Sequence, residues 1–102
     1  MNLEWTEPAR EDLRNIRRYI SQDSEYYAER FAARLVEAVE RLVAFPNMGR
    51  AVPEAKRSDT REIIVHNYRV MYRSEPDRVL ILAIVHCARD WSRNMSQPWN
   101  LS

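Results

Sequence analysis

The sequence has one cysteine and one glycine, and a single lysine among its sixteen basic residues. A lone Cys87 excludes an internal disulfide. A lone Gly49 leaves no glycine-rich loop of the kind that cradles phosphates. No Ser-His-Asp arrangement and no zinc-finger spacing is present, and the neighbours His86 and Cys87 lack a third or fourth ligand at suitable spacing. Cys87 therefore reads as a small buried hydrophobe, and no metal or cofactor is expected. Long apolar runs are missing too. The longest, Val79 to Val85, falls far short of the ~20 residues of a membrane helix. The opening MNLEWTEPARED has no basic stretch followed by an apolar one, so the expectation is a soluble, cytoplasmic protein with no membrane contact.

What is present is arginine. The charges nearly cancel, at +1 overall, but residues 1–55 sum to −2 and residues 56–102 to +3. A chain of 102 residues supports one hydrophobic core and a single domain. Its cationic surface is expected in the second half, and guanidinium suits bidentate contact with phosphate or carboxylate.

Periodicity divides the chain. Asn2 to Trp5 alternates as a short strand, and Thr6 offers an N-cap before Glu7 and Pro8. Ala9, Leu13, Ile16 and Ile20 then mark one face of an amphipathic helix. After the capping residues 21–24 a second helix runs from about Glu25 to Ala44, with Ala28, Phe31, Leu35, Ala38, Leu42 and Phe45 as its stripe. So short a link makes the helices antiparallel, and Pro46 stops the second. Residues 46–60 read as an ordered, exposed loop. Arg61 to Val65, Tyr68 to Arg73 and Arg78 to His86 read as strands, with a tight His66-Asn67 turn in which Asn67 takes the positive φ. The last strand is apolar on both faces and should be central, covered on both sides. In the strand before it, Tyr68, Val70 and Tyr72 should meet the helices, while Arg69, Met71 and Arg73 face an open side. Trp91, Met95 and Trp99 are spaced for a short C-terminal helix. The result is an α+β domain with a helical hairpin on a four-stranded, mainly antiparallel sheet.

The ordered segments FPNMGRAVPE (Phe45 to Glu54), REI (Arg61 to Ile63), YRVMYR (Tyr68 to Arg73) and HCARD (His86 to Asp90) resemble the RelE/ParE superfamily of toxins from bacterial type II toxin–antitoxin pairs. The resemblance spans nearly the whole chain. It implies a growth-inhibiting toxin neutralised by a cognate antitoxin, acting on one of two targets. RelE-like members cut messenger RNA on the ribosome, and ParE-like members inhibit DNA gyrase.

Metal-free RNA cleavage needs a phosphate-stabilising cation and groups that move protons. Under the RelE-like reading Arg69 matches the phosphate-stabilising arginine, with Arg61 and Arg73 assisting. His86 is the candidate acid or base, because its unperturbed pKa lies near neutrality. Glu54 and Glu62 are weaker candidates. The strand REIIV carries no lysine pair, and the tail WSRNMSQPWNLS ends without the tyrosine or histidine of RelE-like sites, so the sequence leans towards the ParE-like side. On that side Arg50, Arg73 and Arg89 are the expected target contacts. The antitoxin is expected to meet Phe31, Arg34 and Leu35 in the groove between the second helix and the sheet. A homologue that binds antitoxin without being toxic is a third possibility. Each assignment has a plainer rival: His86 as a strand-end packing residue, and Arg69 paired with Glu62 across the hairpin.

Overall fold

The computed structural model describes residues 1–88 and Trp99. In chain order the elements are β1 (Asn2–Trp5), α1 (Glu7–Ser21), α2 (Glu25–Ala44), β2 (Arg50–Ala51), β3 (Thr60–Val65), β4 (Tyr68–Ser74) and β5 (Arg78–His86). The strands form one sheet in the order β1-β5-β4-β3-β2. β1 runs parallel to β5, and the other pairs are antiparallel. The α+β class and the helical hairpin are as expected, but the sheet has five strands rather than four. The fifth, Arg50–Ala51, pairs with Glu62 and Arg61 inside the segment read as loop. A two-residue strand among prolines and a glycine has no alternation to reveal it.

Helix α1 starts where β1 ends because Thr6 serves both. Its Oγ1 accepts from the Ala9 amide at 3.2 Å as N-cap, and donates to the Ile81 carbonyl at 2.9 Å. β1 covers β5 only as far as Ile81, and beyond it the Ile84 amide donates to Asp12 of α1 at 3.0 Å. The exposed edge of the central strand is thus satisfied by helix side chains. Ser24 caps α2 by accepting from the Tyr27 amide at 3.2 Å.

One core lies between the helices and the sheet. Phe31, Leu35, Val39 and Leu42 of α2 pack with Ala9, Val65, Val70, Tyr72, Val79, Ile81 and Ile84. Val39 takes the inward place beside Ala38, while Phe45, expected in the stripe, is 64% exposed. Leaving the helix at Phe45 turns its ring outward, where the backbone has φ −132° and ψ 69°. The opposite face of the sheet carries a second cluster of Val52, Met71, Leu80, Leu82, Ala83, Val85 and Trp99. β5 is therefore covered on both sides, as its composition required. The face of β4 expected to be open is covered as well. The expected C-terminal helix and Arg89 lie outside the described residues, apart from Trp99.

Gly49 sits where a side chain has no room. A Cβ there would lie 2.6 Å from the Glu62 carbonyl and 2.7 Å from the Tyr72 hydroxyl. The Gly49 amide donates to that hydroxyl at 2.9 Å, and the hydroxyl donates to the Pro46 carbonyl at 2.8 Å. This clip ties the end of α2 to the middle of the sheet and brings β2 alongside β3.

Candidate functional site

The period of two on β4 and β5 decides which candidate residues meet. Tyr68 stands opposite His86, and Arg69 opposite Val85. Tyr68 packs with the helix-side core, and Val85 belongs to the cluster on the other face. His86 and Arg69 consequently point to opposite faces of the sheet. Arg61, opposite Tyr72, is on the helix side and donates to the Gly49 carbonyl at 2.8 Å, so it braces the loop. The three residues expected to form one catalytic group are not brought together.

On the face away from the helices, Arg69 is a buried link. Its Nε donates to Glu62 at 2.6 Å, and its two terminal nitrogens donate to the two oxygens of Glu54 at 2.9 and 2.8 Å. Glu62, whose side chain is fully buried, also accepts from Nε of Arg50 at 2.6 Å. The plainer reading of Arg69, as a partner of Glu62 across the hairpin, describes this geometry, with Glu54 as an unforeseen second partner. The Arg69 hydrogen bonds hold the Glu54 carboxyl below the usual carboxylate range. Glu54, with Glu62, in turn pushes Arg69 further up, so the pair stays charged.

Arg73, expected on an open surface, is 7% exposed. It donates to the Trp99 carbonyl at 2.9 Å and lies 3.9 Å from Asp59. It is an internal anchor because Trp99 and the segment before β3 cover this face of the sheet. Arg50 remains at the surface, with its side chain 64% exposed. Cys87 is exposed rather than buried, since it follows the last residue of β5. Among the described residues no three His, Cys, Asp or Glu side chains converge as metal ligands.

The helix side presents a different constellation. Ile20, Tyr27, Arg30, Phe31, Arg34, His66, Asn67 and Tyr68 line a hollow of about 440 Å3. Phe31 forms its floor, with ring centroids 5.3 Å from Tyr68 and 5.8 Å from His66, and Tyr68 lies 5.4 Å from His86. Burial pushes the Tyr68 hydroxyl up, keeping it protonated. At the rim a terminal nitrogen of Arg34 lies 3.1 Å from Nε2 of His66. Leu35 is sealed in the core at 0% exposure, so of the three expected antitoxin contacts only Phe31 and Arg34 reach this surface. Leu35 is one step of the helix too far inward. His66, not Asn67, takes the left-handed conformation, at φ 55°. That choice brings its ring over Phe31, which a turn assigned from residue preference alone did not reveal.

Comparison with known proteins accords with this architecture. Residues 3–91 match the family described as the ParE toxin of the type II toxin–antitoxin system, parDE. The chain is 36% identical over 85 residues to Toxin RelE2 of Caulobacter vibrioides, covering 83% of this chain and 93% of that protein. It is 33% identical over 91 residues to the putative toxin Y4kP of Sinorhizobium fredii, covering 87% and 91%. Among solved structures, the chromosomal ParDE system of P. aeruginosa superposes with a TM-score of 0.70 at 25% identity, covering 84% of this chain and 95% of that one. The RelBE2 toxin–antitoxin complex of Mycobacterium tuberculosis gives 0.61 at 24% identity over 83% and 95%, a likeness of fold. No helix among the described residues is long and apolar enough to cross a membrane. With the helical hairpin seated on a sheet of this order and the family match running through almost all of it, the chain belongs to the ParE toxins of type II toxin–antitoxin systems, within the RelE/ParE superfamily.

Proposed function

We propose that this toxin acts in the cytoplasm as a binder that inhibits DNA gyrase and catalyses no reaction of its own. One observation carries the reading: Arg69 and His86 stand on opposite faces of the sheet, and the Arg69 guanidinium is already occupied by Glu54 and Glu62. A phosphate-stabilising cation and a proton-transfer group must reach the same phosphodiester to cleave it, and here they do not share a side.

The partner that restrains it is a cognate antitoxin, in keeping with the P. aeruginosa neighbour, which belongs to a chromosomal ParDE toxin–antitoxin system. Its docking place is the hollow floored by Phe31 and rimmed by Arg34, where apolar rings supply buried area and the arginine meets an acidic side chain.

The purified chain tests the target. Inhibition of gyrase supercoiling, with intact message in a translating extract, is the expected result. Codon-phased cleavage of mRNA that is lost on His86→Ala, with supercoiling unaffected, overturns the gyrase reading in favour of a ribosome-dependent endoribonuclease. Normal growth at verified soluble expression without antitoxin overturns both, leaving an antitoxin-binding homologue.

A further inference from the structure

The hollow floored by Phe31 has two arginines at its rim and no carboxylate in its lining. Among the described residues neither arginine is paired with an acid. Arg34 has its terminal nitrogen 3.1 Å from Nε2 of His66, and Glu37, less than one turn along α2, is bonded to Arg41 instead. Arg30, one turn before Arg34, meets the Tyr26 hydroxyl at 3.0 Å and the face of the same ring. By contrast Arg14 and Arg17 of α1 are paired with Glu11 and Glu29. Two cations without acids beside exposed apolar rings suit a ligand that brings a carboxylate of its own.

The contact between Arg34 and His66 restricts how that carboxylate is received. A guanidinium has donors and no acceptor, so the 3.1 Å contact is a hydrogen bond only when Nε2 of His66 accepts. Acceptance requires the neutral ring, with its proton on Nδ1; a protonated ring would set a second cation against Arg34. The ring is held in place by Phe31 and by the left-handed backbone at His66, φ 55°. Around it stand Arg30 of α2, Asn67 of the turn and Tyr68 of β4, with His86 of β5 beyond Tyr68 and Tyr19 of α1 close enough to act on the Tyr68 hydroxyl. None of these is a carboxylate. A carboxylate arriving between Arg34 and His66 reverses the preference, because one oxygen takes the arginine and the other is best met by an N–H of the charged imidazolium.

We propose that Arg34 and His66 form the subsite for an acidic side chain of the antitoxin, whose carboxylate enters by parting the Arg34–His66 bond while His66 takes up a proton. This subsite rests on the antitoxin docking in the hollow, and it adds that docking is linked to one proton drawn from solvent. The linkage has a definite sign. Binding that takes up a proton tightens as pH falls through the range in which histidine changes charge, between about pH 8 and 5.

Calorimetric titration of the toxin with the antitoxin encoded beside it, at pH 6, 7 and 8 and in two buffers of different ionisation enthalpy, reads both affinity and protons taken up. Wild type should bind about three- to tenfold more tightly at pH 6 than at pH 8, with net proton uptake at pH 7, a factor between that of an exposed ion pair and that of a charged hydrogen bond. His66→Asn tolerates the left-handed turn and has no titrating group, so it should match wild type at pH 8 and lose both the pH dependence and the uptake. His86→Asn should keep both. Tyr27 lines the hollow and is 64% exposed, so Tyr27→Ala leaves the fold intact and should weaken binding by the same factor at pH 6 and pH 8. PH dependence and uptake that persist in His66→Asn, or vanish in His86→Asn, overturn the subsite and leave the docking place standing. So does an Arg34→Ala affinity equal to wild type where Tyr27→Ala weakens binding. Affinity untouched by Tyr27→Ala and Arg34→Ala alike overturns the docking place, and the subsite with it.

Discussion

Replacing Arg69 with alanine removes three hydrogen bonds at once, one to Glu62 and two to Glu54. The consequence falls on Glu62, whose side chain is fully buried and keeps only Arg50, itself largely exposed. Breaking a buried pair by deleting one partner costs about 3–5 kcal/mol, chiefly because the survivor is left charged without compensation. Two features place this case near the lower end. Arg50 still donates to Glu62 at 2.6 Å, and Glu54 is exposed enough to be rehydrated. A loss of about 3 kcal/mol is therefore expected, or a fall in Tm of roughly 12–24 °C for a domain of this size.

Urea unfolding of wild type and Arg69→Ala, with the slope m checked for constancy, measures the loss. The double variant Arg69→Met, Glu62→Gln supplies the control. With both charges of the pair removed it should recover most of the stability, because an uncharged replacement no longer strands a carboxylate. A single-variant loss below about 1 kcal/mol refutes the reasoning, since that is the magnitude of a surface ion pair. The experiment also governs how any activity assay of Arg69 variants is read. Lost toxicity in a partly unfolded protein says nothing about catalysis.

Gly49→Ala should cost about 2–4 kcal/mol in the same assay, since its Cβ meets backbone at 2.6 Å and disrupts the buried Tyr72 hydroxyl bonds, whereas Tyr72→Phe, which adds no atom, should cost about 1. Thr6→Ala should cost about 1–2 kcal/mol through the lost cap and the lost bond to Ile81, and Thr6→Ser should recover most of it. Acid sensitivity has a definite sign. The carboxyls of Glu54, through Arg69, and Asp59, through Arg57, are held below their ordinary values. Their contribution is therefore complete above the unfolded carboxylate range near ~4, and is lost as pH falls through the lower folded values. Urea midpoints should be flat from about pH 7 to 5 and decline below about 4, less steeply in Glu54→Gln; an identical acid limb in that variant contradicts the Arg69–Glu54 link.

The helices were legible because their signals are local. Thr6, Ser24 and Pro46 fix the ends, and the apolar spacing fixes the inner face to within a residue. Val39 was missed, and Phe45 was wrongly placed, because a stripe read by steps of three and four does not show where the helix turns off its axis. Strand β2 was illegible for a similar reason: its pairing depends on the Gly49 and Tyr72 clip, a contact between positions 23 apart in sequence. The hollow at Phe31 was half legible. Phe31 and Arg34 follow from the helix face, while His66 enters through a left-handed turn conformation that histidine adopts less often than asparagine or glycine.

The two faces of β4 carry the most instructive discrepancy. Reading β5 as covered on both sides already constrained its neighbour, because Arg69 sits opposite Val85 and Arg73 opposite Leu80 in the ladder. Whatever shields Val85 and Leu80 also shields the arginines beside them, so an open arginine row on β4 was incompatible with a doubly buried β5. The cover is supplied by Val52 and Ala55, from a segment without strand or helix periodicity, and by Trp99 of the C-terminal tail. Arginines enclosed in this way require internal acceptors, and the acceptors are Glu54, Glu62, Asp59 and the Trp99 carbonyl. On this side of the sheet Arg50 is accordingly the arginine left at the surface, while Arg69 and Arg73 are enclosed by acceptors the protein itself provides.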